Sequence, residues 1–143
     1  MAVLEETGKN LVLRKVAEER MDDLCVMQGN MKKMGYISEV KSLISELTQY
    51  NIDPDTLETF IEEQNMPPAF SYKLQDILIM YRGFRSAISG MYITAEEVLE
   101  AFCDMAEESK LLQDAVLVFD GFTGFTPIQN NVCLLYTSDA ADD

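Results

Sequence analysis

Apolar side chains recur every three to four residues through much of this sequence, and that period limits the fold more than any other feature. The stretch 36–50 shows it most clearly, with charged and polar residues on the opposite helical face. Its apolar face consists of Ile37, Val40, Leu43, Ile44 and Leu47. Because each such face must be buried, the sequence predicts packed helices near residues 9–19, 37–50, 54–64, 70–89 and 95–106.

Capping residues support these predicted boundaries. Asp53 followed by Pro54 is typical of a helix N-terminus, since aspartate caps free N–H groups and proline is favoured in the first turn. Thr94 with Glu97 three residues later predicts a capping box. Gly90 is the predicted C-terminal cap of the long helix. The chain to Ser109 is therefore predicted to be almost entirely helical.

Three more of the predicted helices have a defined buried face. The first should bury Leu11, Val12, Val16 and Ala17. The helix near 70–89 should bury Phe70, Leu74, Ile77, Leu78, Tyr81, Phe84 and Ile88, an aromatic-containing stripe that we interpret as core and not as a base-stacking platform. The helix near 95–106 should bury Val98, Leu99, Phe102 and Met105.

The pattern changes at residues 115–119, Ala-Val-Leu-Val-Phe, a continuous apolar run bounded by polar residues. Such a run is typical of a strand buried on both faces, as in a parallel sheet. One strand does not form a sheet, so its partners are expected outside this sequence. The predicted fold class is mainly α, ending in one buried-type strand.

Composition limits the functions open to the chain. Its 11 Lys and Arg against 25 Asp and Glu give a formal charge of -14, which repels a phosphate backbone and argues against autonomous nucleic-acid binding. Lys32, Lys33, Arg82 and Arg85 are interpreted as solvated helix charges. The absence of histidine removes the commonest general base and excludes Ser-His-Asp triads and histidine-based zinc sites.

Three cysteines without CxxC spacing, Cys25, Cys103 and Cys133, are typical of reduced thiols in a cytoplasmic protein. The first two are predicted to be buried. No apolar run approaches the roughly 20 residues that span a bilayer, so no membrane association is expected. The acidic residues Glu18, Glu19, Glu62, Glu63, Glu96 and Glu97 are interpreted as solvent-facing helix positions that serve solubility and capping.

Residues 133–143, Cys-Leu-Leu-Tyr-Thr-Ser-Asp-Ala-Ala-Asp-Asp, resemble a translated sequencing adapter. A transposase adapter read in one frame encodes the first ten of these residues, and its incomplete last codon permits the eleventh. We therefore predict that residues 133–143 form a non-native tail that does not contribute to the fold.

Asp120 is the one candidate site residue. An apolar strand that ends in an aspartate is how P-loop ATPases place a carboxylate beside the magnesium of a bound nucleotide. Asp120 is accordingly a possible magnesium-side or nucleotide-side carboxylate, although many strands of α/β proteins end in aspartate. A working helicase motif continues with a glutamate that activates water, and Gly121 stands there instead. No catalytic residue and no metal ligand is assigned.

The string 118–127, Val-Phe-Asp-Gly-Phe-Thr-Gly-Phe-Thr-Pro, resembles the degenerate second helicase motif of the AddB family, the B subunits of bacterial ATP-dependent helicase/deoxyribonucleases. Further stretches resemble that family in the same order, and together they cover nearly all of residues 1–132. They are residues 7–16, 35–47, 73–81, 92–98 and 108–112.

The resemblance implies an internal fragment of the N-terminal helicase-like region. Residues 1–112 would be the helical insertion of a P-loop helicase-like α/β domain, and residues 113–132 its strand and degenerate motif. It also implies a heterodimer with an A subunit that processes DNA double-strand breaks for recombinational repair and responds to a recombination hotspot sequence. ATP, magnesium and an iron-sulfur cluster would be bound outside this segment.

The sequence leaves three functions to compare. The first is a structural, catalytically silent piece of that bacterial, cytoplasmic helicase/nuclease, whose parent complex is the enzyme. The second is a free-standing acidic helical adaptor that binds a protein partner. The third, a small nucleotide-binding enzyme centred on Asp120, lacks a GxxxxGK[ST] phosphate loop and a general base. The apolar strand run and the adapter-like tail favour the first over the second.

Overall fold

The computed structural model describes residues 1–139 and is mainly α-helical. A short strand opens the chain, four helices follow, a second short strand pairs with the first, and three further helices complete the described part. The elements are β1 (Ala2–Leu4), α1 (Glu6–Arg20), α2 (Met34–Gln49), α3 (Pro54–Glu63), α4 (Pro68–Ile88), β2 (Tyr92–Thr94), α5 (Ala95–Ala106), α6 (Lys110–Gln113) and α7 (Pro127–Asp139). A single 3-10 turn, Met21–Asp23, follows α1. All five predicted helices are confirmed to within three residues at each end.

The predicted caps form as expected. The Asp53 carboxylate accepts a hydrogen bond from the Thr56 backbone N–H at 2.7 Å, and Pro54 occupies the first turn of α3. The Glu97 carboxylate accepts from the Thr94 backbone N–H at 2.7 Å and from the Thr94 hydroxyl at 3.0 Å. Gly90, just past α4, has a φ of 75°, a left-handed conformation that glycine adopts without strain.

The hydrophobic core joins α1, α2, α3 and α4. Its fully buried members are Leu4, Leu13, Val16, Ala17, Leu24, Met27, Met31, Ile37, Val40, Ile44, Leu57, Ile77, Leu78, Met80, Tyr81, Phe84 and Ile88. Tyr81 also fixes the α2–α3 turn, because its hydroxyl donates to the Ile52 carbonyl at 3.0 Å and lies 3.2 Å from the Thr48 hydroxyl. The long stripe of α4 is thus core, as predicted, with Phe70 as an exposed exception in its first turn.

The small parallel sheet was not predicted. β1 pairs with β2 in the register Ala2 to Tyr92, Val3 to Ile93 and Leu4 to Thr94. Each strand has three residues, which is too short for a period of two to stand out in the sequence. The pairing brings the start of α1 and the start of α5 to the same edge of the molecule.

The predicted strand at 115–119 is wrong for this structure. The run is irregular and pairs with no strand among residues 1–139. Val116 and Val118 are 90% and 84% exposed. A strand requires a neighbour to satisfy its backbone groups, and none reaches this run within the described part of the chain.

Two predicted buried faces also need correction. Leu11 is exposed on α1, whose buried stripe is Lys9, Leu13, Val16 and Ala17. On α5, Val98 and Met105 are exposed and Leu99 and Phe102 are half-buried, so that this face is only partly covered. The buried face of α1 was predicted incorrectly because it begins with Lys9, and a charged residue is not expected in a buried position.

The helix α7 continues through the residues predicted to be tail. It is regular from Pro127 to Asp139, while residues 140–143 lie outside the described part of the chain. Among the side chains of α7 that the structure describes, residues 127–135, Ile128 and Val132 are buried, and α7 packs against α5. Residues 133–139 of the predicted tail are therefore helical, and the prediction that the tail does not contribute to the fold stays a prediction.

Truncation after Val132 should leave the melting temperature within about 2 °C of the full chain, because it keeps Ile128 and Val132, which are buried in α7. Thermal unfolding followed by circular dichroism measures this. A second truncation after Thr126, which also removes Ile128 and Val132, should lower it clearly. A loss of several degrees in the first truncation would contradict the assignment of residues 133–143 as a tail without a role in the fold.

No helix within residues 1–139 combines the length and apolarity that crossing a bilayer requires.

Candidate functional site around Asp120

The segment that carries Asp120 lies between α6 and α7. Beyond α6 the chain is irregular until α7 begins at Pro127. Thr126 caps α7: its backbone N–H donates to the Gln129 side-chain oxygen at 2.9 Å, and the Gln129 backbone N–H donates to the Thr126 hydroxyl at 3.4 Å. This reciprocal arrangement, threonine with glutamine three residues later, fixes the end of the segment.

Asp120 itself is exposed at a turn. The following residue, Gly121, has a φ of 76°, which is the left-handed region that favours glycine. The turn thus requires glycine where a working helicase motif would place its glutamate. A glutamate at position 121 would be strained in this conformation, and the helicase-motif role of Asp120 stays a prediction.

Three phenylalanines form a small cluster beside Asp120. The ring centroids of Phe119 and Phe122 are 6.0 Å apart, those of Phe119 and Phe125 are 5.9 Å apart, and those of Phe122 and Phe125 are 5.2 Å apart. All three side chains remain partly exposed. Their spacing of three residues brings them together because the glycines between them allow the chain to fold back.

Within the part of the chain that the structure describes, Asp120 does not belong to a side-chain cluster that could hold a metal ion. Within residues 1–139, no three His, Cys, Asp or Glu side chains group closely enough to hold a metal. The cysteines do not converge either. Cys25 is exposed, against the prediction that it is buried, and Cys103 is half-buried. Burial, and then the charges of Asp104 and Glu100, raise the pKa of the Cys103 thiol, so it is not an activated nucleophile.

Sequence reasoning missed Asp76, a buried carboxylate on α4. It is 0% exposed and accepts three backbone hydrogen bonds from the loop after α1. The donors are the N–H groups of Cys25 at 2.9 Å, Val26 at 2.7 Å and Met27 at 2.8 Å. The exposure of Cys25 follows from this contact, because its backbone is turned inward and its side chain outward. The available signal was an aspartate directly beside Ile77 in the apolar stripe of α4.

A second missed group is Lys9, whose side chain is 2% exposed on the inner face of α1. Its ammonium lies 3.0 Å from Glu6, 3.1 Å from both oxygens of Glu96, and 3.5 Å from the Ser45 hydroxyl. Burial alone would lower the pKa of Lys9, but hydrogen bonds to Glu6 and Glu96 outweigh it, so the pKa is raised. Lys9 is therefore a buried, fully charged side chain.

The predicted surface charges divide into two groups. Lys32 and Lys33 are exposed, as expected. Arg82 instead contacts Asp55 at 2.8 Å and Glu58 at 2.7 Å, and Arg85 pairs with Glu97. The prediction that Glu96 and Glu97 face solvent is wrong, since their side chains are 11% and 16% exposed against Lys9 and Arg85. These arginines neutralise carboxylates of the same chain and do not form a phosphate track.

These observations define a class: a mainly helical, acidic region with an exposed aspartate on a turn between two of its helices. The chain belongs to the family described as ADDB, N-terminal, whose model matches residues 1–140. The matched range includes residues 133–140, so the adapter origin of that part stays a prediction.

Relatives agree with this family. A protein of Lachnoclostridium phytofermentans, named as the B subunit of an ATP-dependent helicase/deoxyribonuclease, is 41% identical over 127 residues, covering 89% of this chain. Proteins of the same name from Clostridioides difficile and Alkaliphilus metalliredigens are 33% identical over 90% of the chain and 32% identical over 87% of it. The chain spans about 11% of the length of each of these relatives.

Proposed function

We propose that this chain is a helical part of the N-terminal region of the B subunit of an ATP-dependent helicase/deoxyribonuclease, and that its own contribution is structural. The whole protein would act with an A subunit on DNA in the bacterial cytoplasm, in the processing of double-strand breaks for recombinational repair. The names of the relatives support the helicase, nuclease and subunit parts of this proposal. ATP, magnesium and an iron-sulfur cluster would be held by other parts of the complex.

The observation that supports a structural role is that Asp120 stands without the other groups that ATP hydrolysis needs. ATP hydrolysis requires a loop that cradles phosphate, a carboxylate beside magnesium and a group that orients water. Asp120 could serve as the second of these, but Gly121 stands in the position of the third and no phosphate loop is present in the sequence. As a magnesium-side carboxylate Asp120 would need the rest of a helicase-like domain around it.

The purified chain should therefore neither hydrolyse ATP nor degrade DNA. Magnesium-dependent phosphate release and nuclease activity on linear duplex DNA are the measurements, and Asp120→Ala is the matched variant. Both proteins should be indistinguishable from buffer. ATP turnover by the wild-type chain that disappears in Asp120→Ala would overturn the structural role, because it would reveal a complete site.

DNA binding by the chain alone should be weak and lost with salt, since the formal charge of -14 opposes it.

The role of the chain in the larger protein can be tested by a segment exchange. Residues 1–132 would replace the matching segment of the Lachnoclostridium phytofermentans protein, produced with its A subunit. The chimera should retain ATP-dependent degradation of linear DNA. A chimera that assembles with the A subunit but has no activity would contradict the proposed role.

The alternative of a free-standing acidic adaptor is less well supported. Family membership and the match of nearly the whole chain to one named kind of subunit both favour the helicase/nuclease hypothesis. The exposed apolar run at 116–119 also fits a segment that other parts of a larger domain would cover.

A further inference from the structure

The main hydrophobic core ends where α4 ends. Among the described residues, every member of the core cluster lies between Leu4 and Ile88. The elements α5 to α7, here called the C-terminal part, bury a separate small set of side chains, Ala106, Ile128 and Val132, where α5 packs on α7. The two parts of the molecule thus have separate apolar interiors.

The first turn of α5 links the C-terminal part to the core by charge. Glu96 contacts Lys9 of α1, and the next residue, Glu97, contacts Arg85 of α4. The Lys9–Glu96 pair has little access to solvent, with side-chain exposures of 2% and 11%. Consecutive carboxylates therefore hold α5 against two different helices of the core.

The charges around Lys9 extend the link to α2. Glu6 bridges Lys9 at 3.0 Å and Lys41 at 2.8 Å, and the Ser45 hydroxyl completes the shell of the Lys9 ammonium. Hydrogen bonds from Lys41 and Lys9 lower the pKa of Glu6. For Glu96, burial works toward a higher pKa, but hydrogen bonds from its own backbone and from Lys9 prevail and the pKa is lowered. Glu6, Lys9 and Glu96 are therefore all ionised at neutral pH.

We propose that the first turn of α5 is an ionic joint: Glu96 and Glu97 hold the C-terminal part on the helical core, and their release lets that part detach while the core stays folded. When the joint opens, Lys9 keeps Glu6 as a partner but loses Glu96, the less exposed of its two carboxylates, so the closed joint is favoured. The apolar cluster from Leu4 to Ile88 contains no residue of α5, so we expect the loss of contact to stay local. The joint thereby fixes where α5, and α7 packed against it, lie relative to the core, a property of this chain whether or not the proposed function holds.

The test is amide hydrogen exchange of the full chain, resolved by peptide, for the double variant Glu96→Gln/Glu97→Gln. The matched control is Glu100→Gln/Glu107→Gln, which removes two exposed carboxylates from the same region. Exchange in α5 and α7 should rise about tenfold or more in the test variant, because opening then costs less free energy. Exchange in α4 should stay unchanged, and the control should resemble the wild type.

Two results would contradict the proposal that α5 is held by an ionic joint. Unchanged exchange in α5 would show that the carboxylates do not hold it, and an equal rise in α4 would show that the two parts unfold together. Should the double variant fail to fold, Glu97→Gln alone removes the partner of the more exposed Arg85 and should give the same local pattern with a smaller rise. A uniform rise in that variant would equally contradict the proposal.

Discussion

Replacement of Asp76 by alanine should lower the free energy of unfolding by about 4 kcal/mol, because three backbone N–H groups would lose their acceptor together. Each buried donor left without a partner costs roughly 1–3 kcal/mol, and some of that cost is recovered when water enters the loop. The carboxylate also sets the path of the chain between α1 and α2, where Met27 and Met31 enter the core. The loop and the core should therefore weaken together.

Urea unfolding followed by circular dichroism measures this effect. Asp76→Asn keeps one acceptor oxygen and should lose less than the alanine variant. Asp104→Ala removes an exposed aspartate on α5 and should change the unfolding free energy by less than about 0.5 kcal/mol. An Asp76→Ala protein as stable as the wild type would show that the loop finds other acceptors.

Replacement of Gly83 by valine should cost about 3 kcal/mol of stability, since α1 and α4 approach each other closely at this point. A Cβ atom built on Gly83 would lie 2.4 Å from Cγ1 of Val16, far inside van der Waals contact. Inserting extra atoms into such a packed interface costs roughly 1–3 kcal/mol, and a β-branched side chain offers few rotamers to avoid the clash.

Gly35 provides the matched position, because it lies in α2 and a Cβ there would meet nothing within 4 Å. Gly35→Val should be nearly neutral under the same urea titration. In a Val16→Ala background the cost of Gly83→Val should shrink, since the clashing methyl groups are gone. Equal costs with and without Val16 would mean that the close approach of the two helices is not the cause.

The helices could be predicted because their signals are local. The apolar period of α2, the Asp53-Pro54 start of α3 and the Thr94–Glu97 cap of α5 each depend on residues within a few turns of one another. The two buried charged residues that were not predicted depend on contacts that are distant in sequence. Lys9 and Asp76 occupy core positions because distant partners satisfy them, Glu96 on α5 and the loop after α1. A rule that places every charged residue on the protein surface therefore predicts, incorrectly, that Lys9 and Asp76 are exposed.

The run at 115–119 is the opposite case, because its local sequence pattern predicted a strand that does not form. Its residues have the apolarity of a buried strand, yet no neighbouring strand among residues 1–139 pairs with it, and Val116 and Val118 remain exposed. Strand formation depends on a partner, whereas helix formation satisfies its hydrogen bonds within the segment. The sequence pattern therefore identified a segment that favours strand structure, but the described part of the chain provides no strand for it to pair with. The candidate carboxylate, Asp120, follows this run on an exposed turn, and its magnesium role stays a prediction.

The pairing of β1 with β2 has a consequence for how the helical core can be combined with other domains. Leu4 and Thr94 are register partners, so the chain enters and leaves the four-helix unit at neighbouring points. A folded unit whose two ends are adjacent can interrupt a surface loop of a host domain without spreading the host's strands apart, whereas a unit with distant ends cannot. A unit of this kind can be lengthened, shortened or replaced as one piece, and in this chain the short parallel ladder of β1 and β2 holds its two ends together.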